Sequence, residues 1–230
     1  MAAPDLIKPP TQTLPLESGD KLSREEFERR YMAMPHVKKA ELIKGIVYMA
    51  SPLRYRSHAK PHIRISTWLG TYESATPGIG AGDNGTVRLD EDNEVQPDAF
   101  LMIEHGGQAS ISEDDYIEGA PELIVEVAAS SASIDLHDKL TAYQRNQVQE
   151  YLVWRIYDQS FDWFHLVDGR YEQMPVNEEG IICSKVFPGL WLDQNALLGG
   201  NMAKVLEVLQ QGLATPEHQA FVEKLSQSGN

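Results

Sequence analysis

A single cysteine, Cys183, stands in 230 residues, which excludes an internal disulfide and any cysteine-rich zinc site and suits a reducing cytoplasm. Long apolar runs are missing as well. The longest, ELIVEV and EYLVW, fall far short of the roughly 20 residues a membrane-spanning helix needs, so a soluble chain with no membrane partner is expected. Basic side chains are scarce beside acidic ones, 20 Lys and Arg against 34 Asp and Glu for a formal net charge of −14. A chain of that sign repels a polyanion at long range, and binding nucleic acid would require a local basic patch. No internal repeat is visible. The N-terminus, MAAPDLIKPPTQTLPLESGD, has neither a basic segment nor an apolar one, so it does not read as a signal peptide. It reads as a disordered, Pro-rich lead-in over residues 1–21. With 42% hydrophobic residues, the remainder suffices for one α/β domain over residues 22–211, with a flexible tail over 212–230.

Several elements are legible. SREEFERRYMAM has a capping serine, Ser23, with Glu26 at the capping-box position and Phe27, Tyr31 and Met34 on one helical face. AELIKGIVYMAS reads as a hairpin closed by Lys44-Gly45. A second helix is expected over about His58 to Tyr72, with Ile63, Ile65, Trp68 and Leu69 for the core and Pro61 in its first turn. PGIGAGDNGT, rich in glycine, does not open a helix after a strand, so it reads as a flexible connection and not as a phosphate-binding loop. EVQPDAFLMI reads as one strand and HGGQASISEDDYIEG as a polar loop. ELIVEV, a helix from about Asp135 to Asn146 and EYLVWRIY form a parallel strand-helix-strand crossover. FDWFHLVDGRYEQM is a hairpin closed by Asp168-Gly169, a strand pair ends near FPGLWL, and Ala203 to Gln211 is helical, with the chain from Gly212 fraying.

Glu126 is the residue out of place. It lies in a run apolar enough to be a buried strand, where an ionised carboxylate loses its hydration. Alternation puts Asp98, Phe100 and Met102 on one strand face and Glu122, Ile124 and Glu126 on one face of another. If these strands are neighbours, Asp98 and Glu126 converge, and two acids in apolar strands call for a cation between them. The plainer alternatives are a basic partner for Glu126 and a turn role for Asp98 after Pro97. Lys139 stands beside the expected buried stripe of Leu136, Leu140 and Tyr143, and reads either as a surface lysine paired with Asp135 or as an ammonium leaning toward the acids. RYRSHAKPHIR carries Arg54, Arg56, Lys60 and Arg64 and reads as a phosphate-contact surface or as a solvated helix face. His58 and His62 are spaced like zinc ligands on a helix, but HAKPH lacks the glutamate of HExxH and Pro61 disrupts the turn, so zinc is not expected. His58, near a helix start, is a candidate phosphate contact. His105, His137, His165 and His218 show no ligand pattern.

The succession Glu41 to Gly45 (ELIKG), Met49 to His58 (MASP, then a histidine), Gln96 to Asp98 (QPD), Pro121 to Ser131 (PELIVEVAASS), Asp135 to Tyr143 (DLHDKLTAY), Val148 to Trp154 (VQEYLVW) and Phe187 to Leu192 (FPGLWL) resembles the bacterial Uma2 family, also called DUF820, of restriction endonuclease-like proteins. The likeness spans about Leu22 to Leu197. It implies a PD-(D/E)XK nuclease core, a mixed central sheet with flanking helices. It further implies that Asp98 and Glu126 bind Mg²⁺, or Mn²⁺ in its place, with the carbonyl of Val127 as a third ligand. The usual lysine position, two residues after the acid, is Ala128 here. The Uma2 pattern instead matches Lys139 on the following helix and Glu41 upstream. The chain departs from the family at Ala129-Ser130, where Ser-Pro is frequent, and at Lys44, where an aspartate is.

The expected function is therefore metal-dependent phosphodiester hydrolysis by Asp98, Glu126, Lys139 and Glu41. The partner would be nucleic acid, with DNA favoured, and His58, Arg56 and Lys60 would contact the substrate. Cutting two strands with one site per chain calls for a homodimer. The alternatives are a non-catalytic nuclease-fold binding module and a hydrolase of a small phosphorylated molecule.

Overall fold

In the computed structural model, which describes residues 13–50, 52–129 and 131–228, α1 (Arg24–Met32) begins where the capping pattern places it. Ser23 is extended and its Oγ accepts the Glu26 N–H at 3.4 Å, with acids in the first turn and arginines in the last, complementing the helix dipole. The helix lays Phe27 on Leu42 and Val47 of the hairpin β1 (Ala40–Ile43) and β2 (Ile46–Met49). Lys44 and Gly45 between them have φ of 54° and 75°, the left-handed pair that a two-residue hairpin turn demands. The lead-in expected to be disordered is ordered where it is described. Gly19 N–H donates to the Val47 carbonyl at 2.8 Å, Lys21 bridges Ile46, and Leu16 is buried. Residues 1–12 of it lie outside the described residues.

α2 (Lys60–Ser74) follows a π-helical turn, Tyr55–Ala59, and buries Ile65, Trp68, Leu69 and Tyr72. Ile63, expected in the core, is 60% exposed, because it sits about 200° around the helix from Ile65 and off the i, i+3, i+4, i+7 stripe. The glycine-rich segment is not a flexible connection. It contains β3 (Ile79–Gly82), paired antiparallel with β6 (Ala99–Ile103), and a side chain at Gly82 would collide with the Phe100 ring. β4 (Val87–Asp90) and β5 (Asn93–Val95) precede β6. The single strand expected over EVQPDAFLMI is two, β5 and β6, in different sheets. Gln96-Pro97-Asp98 breaks it, since Pro97 has no N–H for a ladder. The polar loop that follows holds two short strands, β7 (Ser110–Ile111) and β8 (Ile117–Glu118).

β9 (Leu123–Ala128) then crosses over through α3 (Ala132–Ile134), a second π-helical turn Asp135–Lys139, and α4 (Leu140–Arg145) to β10 (Glu150–Arg155). The two strands are parallel, with Glu126 opposite Val153. β11 (Ser160–Val167) and β12 (Arg170–Gln173) form the hairpin closed at Asp168-Gly169. β13 (Ile181–Cys183) pairs β14 (Trp191–Asp193), followed by α5 (Gln194–Leu198), α6 (Met202–Leu213) and α7 (Pro216–Ser228). One mixed sheet runs β12-β11-β10-β9-β6-β3, and a second runs β2-β1-β5-β4-β8-β7.

β9 is covered on both faces, which is why it reads as a continuous apolar run. Leu123, Val125 and Val127 pack under α2 and α6. Ile124 and Ala128 pack with Phe100, Met102, Tyr151 and Tyr143, between β9 and the second sheet. The tail expected to fray from Gly212 is instead the end of α6 and then α7. Leu225 joins the core, and His218 is buried against Thr76.

Candidate active site

The face of β9 that carries Ile124 and Ala128 also carries Glu126. β6 pairs β9 with Phe100 opposite Ile124 and Ala99 opposite Val125, and one further step of that register sets Asp98 against Glu126. The Asp98 Oδ2 carboxylate oxygen accepts the Val127 N–H at 2.8 Å, while Oδ1 stands 3.4 Å from His58 Nε2 and 3.7 Å from Lys39 Nζ. Glu126 Oε1 accepts from Lys139 Nζ at 2.8 Å and from the Tyr143 hydroxyl at 2.9 Å. Lys139 Nζ also lies 2.9 Å from Glu41 Oε1 and 3.9 Å from Asp135 Oδ1. Glu41 on β1 is fixed in turn by the Gln96 N–H at 2.8 Å. The break at Gln96-Pro97-Asp98 therefore joins the two sheets where their acids meet.

Asp98, Glu126 and Lys139 are 4%, 3% and 3% exposed, so Lys139 is not the surface lysine of the plainer reading. The expected stripe is also rotated. Asp135, Lys139, Ala142 and Tyr143 face inward and Leu136 and Leu140 are half-buried, because the π-helical turn Asp135–Lys139 carries an extra residue per hydrogen-bonded loop. That bulge could not be read from a 3.6-residue period.

Three acids, Glu41, Glu126 and Asp135, face one fully enclosed ammonium. Burial pushes the Glu126 carboxyl up to about 8, with Lys139 opposing and Asp98, Asp135 and Glu41 adding to the rise. Burial also pushes Glu41 up, but Lys139, Lys39 and the Gln96 N–H outweigh it and leave Glu41 below the usual carboxylate range. The two partners of one ammonium thus move oppositely, since a single positive charge cannot neutralise three carboxylates and Glu126 lies nearest the others. Lys139 stays charged, for although burial pulls its pKa down, Glu126, Glu41 and Asp135 raise it well above the ordinary value.

These groups line a cavity of about 620 Å³ together with Lys39, Arg54, Leu53 and Tyr157. Arg56 and Lys60, expected at the substrate, are exposed and outside that lining, whereas Arg54 lies on it. His58 is on it, stacked on His62 at 5.7 Å between ring centroids, while the His62 Nε2 lies 2.7 Å from the Asp98 carbonyl. Lys39, Asp135 and Tyr143 were missed as site residues. Their signals are Lys39 two positions before Glu41 in β1, and Asp135 and Tyr143 each four positions from Lys139.

Among the described residues no group of three or more His, Cys, Asp or Glu side chains is placed to hold a metal ion. The donors present are two carboxylates, Asp98 and Glu126, and a backbone carbonyl. Glu122 and Ala128 direct their carbonyls to β10, accepting the N–H groups of Glu150 and Ile156 at 2.8 and 2.9 Å. Strand residues alternate in the neighbour they face, so Val127 turns its carbonyl, like its N–H, toward Asp98. Two carboxylates, a carbonyl and water fit a hard cation of the Mg²⁺ type.

Residues 24–195 match the model of a family described as Uma2, putative restriction endonuclease. The chain belongs to the Uma2 family. A solved structure, titled as a putative nuclease belonging to DUF820 from Anabaena variabilis, matches with a TM-score of 0.57 at 13% identity, covering 74% of this chain and 96% of that one. At that identity the likeness establishes the fold, a mixed sheet with flanking helices. No curated protein matches. Among the described residues no helix is long and apolar enough to cross a membrane.

Proposed function

We propose that this Uma2 chain is a Mg²⁺-dependent endonuclease that hydrolyses phosphodiester bonds, with DNA as substrate and Mn²⁺ able to replace Mg²⁺. The observation that carries the reading is the meeting of Asp98, Glu126 and Lys139, from three separate segments, in one cavity. Asp98, Glu126 and the Val127 carbonyl would hold the cation, whose bound state supplies a water of lowered pKa and a counter-charge to the phosphate. Asp98 is held for this by the Val127 N–H, and Tyr143 orients Glu126. Lys139 donates toward the oxygen where negative charge develops, a task that an ammonium performs without acting as a base. Glu41 keeps Lys139 aimed into the cavity, and His58 and Lys39, on its wall, would contact the phosphate. Were both strands of a duplex to be cut, one site per chain would call for a homodimer. The compartment that suits this chemistry is the cytoplasm.

The competing reading is a nuclease-fold module that binds without cutting. The saturation of Lys139 by Glu41 and Glu126 favours it. Incubating plasmid and oligonucleotides with wild type and Glu126→Ala in Mg²⁺ and in Mn²⁺ separates the two. Cleavage by wild type that Glu126→Ala abolishes supports the enzyme, and absence of cleavage in either metal rejects it.

A further inference from the structure

The cavity also bears on what kind of strand can enter it. Asp98, Glu126 and Lys139 lie at its bottom, almost fully enclosed. A volume of about 620 Å³ is that of a pocket for a molecule of ligand size. A nucleotide fits such a space, whereas the rigid wall of a duplex must stay outside it. The cavity wall carries exposed apolar and aromatic side chains beside the charged Arg54. Leu53 and Tyr157, both on the cavity wall, are 65% and 64% exposed, and Tyr55, one residue beyond the wall residue Arg54, is 69% exposed. They come from two segments far apart in the chain, the approach to α2 and the turn between β10 and β11. An exposed tyrosine ring on the wall of a polar cavity, as Tyr157 is, suits the π-faces of bases, and those faces are free only when the strand is unpaired. Charge points the same way. A duplex carries one negative charge per 1.7 Å of axis, about twice the density of a single strand. This chain has a net charge of −14 and offers it few cations, chiefly Arg54 and Lys39 at the wall.

We propose that the strand this site takes is unpaired DNA, gripped by base stacking on Tyr157, while its phosphate reaches down to Asp98 and Glu126. The inference rests on the reading of the cavity as the place where nucleic acid enters. It is tested by fluorescence anisotropy of a short labelled oligonucleotide, single-stranded and annealed, with Ca²⁺ in place of Mg²⁺ so that binding is read without turnover. The expected result is tighter binding of the single strand than of the duplex, weakened about ten-fold by Tyr157→Ala and restored by Tyr157→Phe. Since Tyr157 is exposed, thermal melting of these variants should match wild type. Equal or tighter duplex binding, no single-strand binding, or an unchanged affinity in Tyr157→Ala overturns the proposal. Parallel cleavage assays in Mg²⁺ and Mn²⁺ keep the two ideas apart. Stacking-dependent binding without cleavage rejects the nuclease and leaves the unpaired-strand site standing, whereas duplex cleavage indifferent to Tyr157→Ala rejects the site and leaves the nuclease.

Discussion

Lys139 and Glu126 touch, yet they differ in what they contribute to stability. Among the described residues Lys139 is the ammonium enclosed among Glu41, Glu126 and Asp135, and removing it leaves those buried carboxylates without their main counter-charge. Lys139→Met should therefore lose about 3–5 kcal/mol in denaturant unfolding, as breaking a buried pair does. Glu126 already favours its protonated form, since burial and the neighbouring acids push it up to about 8. Glu126→Gln, neutral and of the same shape, should raise stability near neutral pH, since the wild type must take up a proton there in order to fold, while lowering cleavage by about a hundred-fold or more. A large stability loss in Glu126→Gln would show the ionised carboxylate to be a structural partner first. Both positions were singled out in the sequence because charge in an apolar setting demands a cause. Lys39 and Asp135 escaped because charged residues beside loops and helix starts are common on surfaces.

At the scale of elements, Glu150 ties the start of β10 to the segment that leaves β13. It accepts from the Ser184 hydroxyl at 2.8 Å and from the Lys185 N–H at 2.6 Å, while burial pushes its carboxyl up to about 7 against those bonds. A raised acid binds its proton more tightly when folded. Its stabilising contribution is thus complete below the unfolded value of 4.5 and fades as the pH rises through about 7. The loss is on the order of 3 kcal/mol. Denaturant unfolding followed from pH 4 to 8 should show this decline, and Glu150→Gln should make it shallower, with the part due to Glu126, pushed up to about 8, remaining. A second element, α7, reads as a tail in the sequence because it is mostly polar. Only Phe221 and Leu225 of it reach the core cluster. Leu225→Ala should lower stability by about 2 kcal/mol. A melting temperature unchanged by that substitution would mean that α7 is not docked in solution.

The whole molecule sets a limit on how nucleic acid can be held. With a net charge of −14 and cations at the cavity confined to a few side chains, the logarithm of affinity should fall with the logarithm of salt at a slope no steeper than about −2, the value for three single-strand phosphate contacts. A much steeper slope would reveal a basic surface elsewhere. By itself the sequence determined the local devices: the cap at Ser23, the turns at Lys44-Gly45 and Asp168-Gly169, the β9 to β10 crossover, and the conflict of Glu126 with its apolar strand. Each is a matter of residues within a few positions of one another, where sterics and hydrogen bonding act without the rest of the fold. Tertiary structure alone decided that EVQPDAFLMI divides between two sheets, that the glycine-rich segment is an edge strand, and that a π-helical turn rotates Lys139 inward. It also decided that Glu41 on one sheet and Glu126 on the other share that ammonium. Those outcomes depend on which surfaces pack together, and a burial contributed by residues distant in the chain leaves little trace in the local pattern.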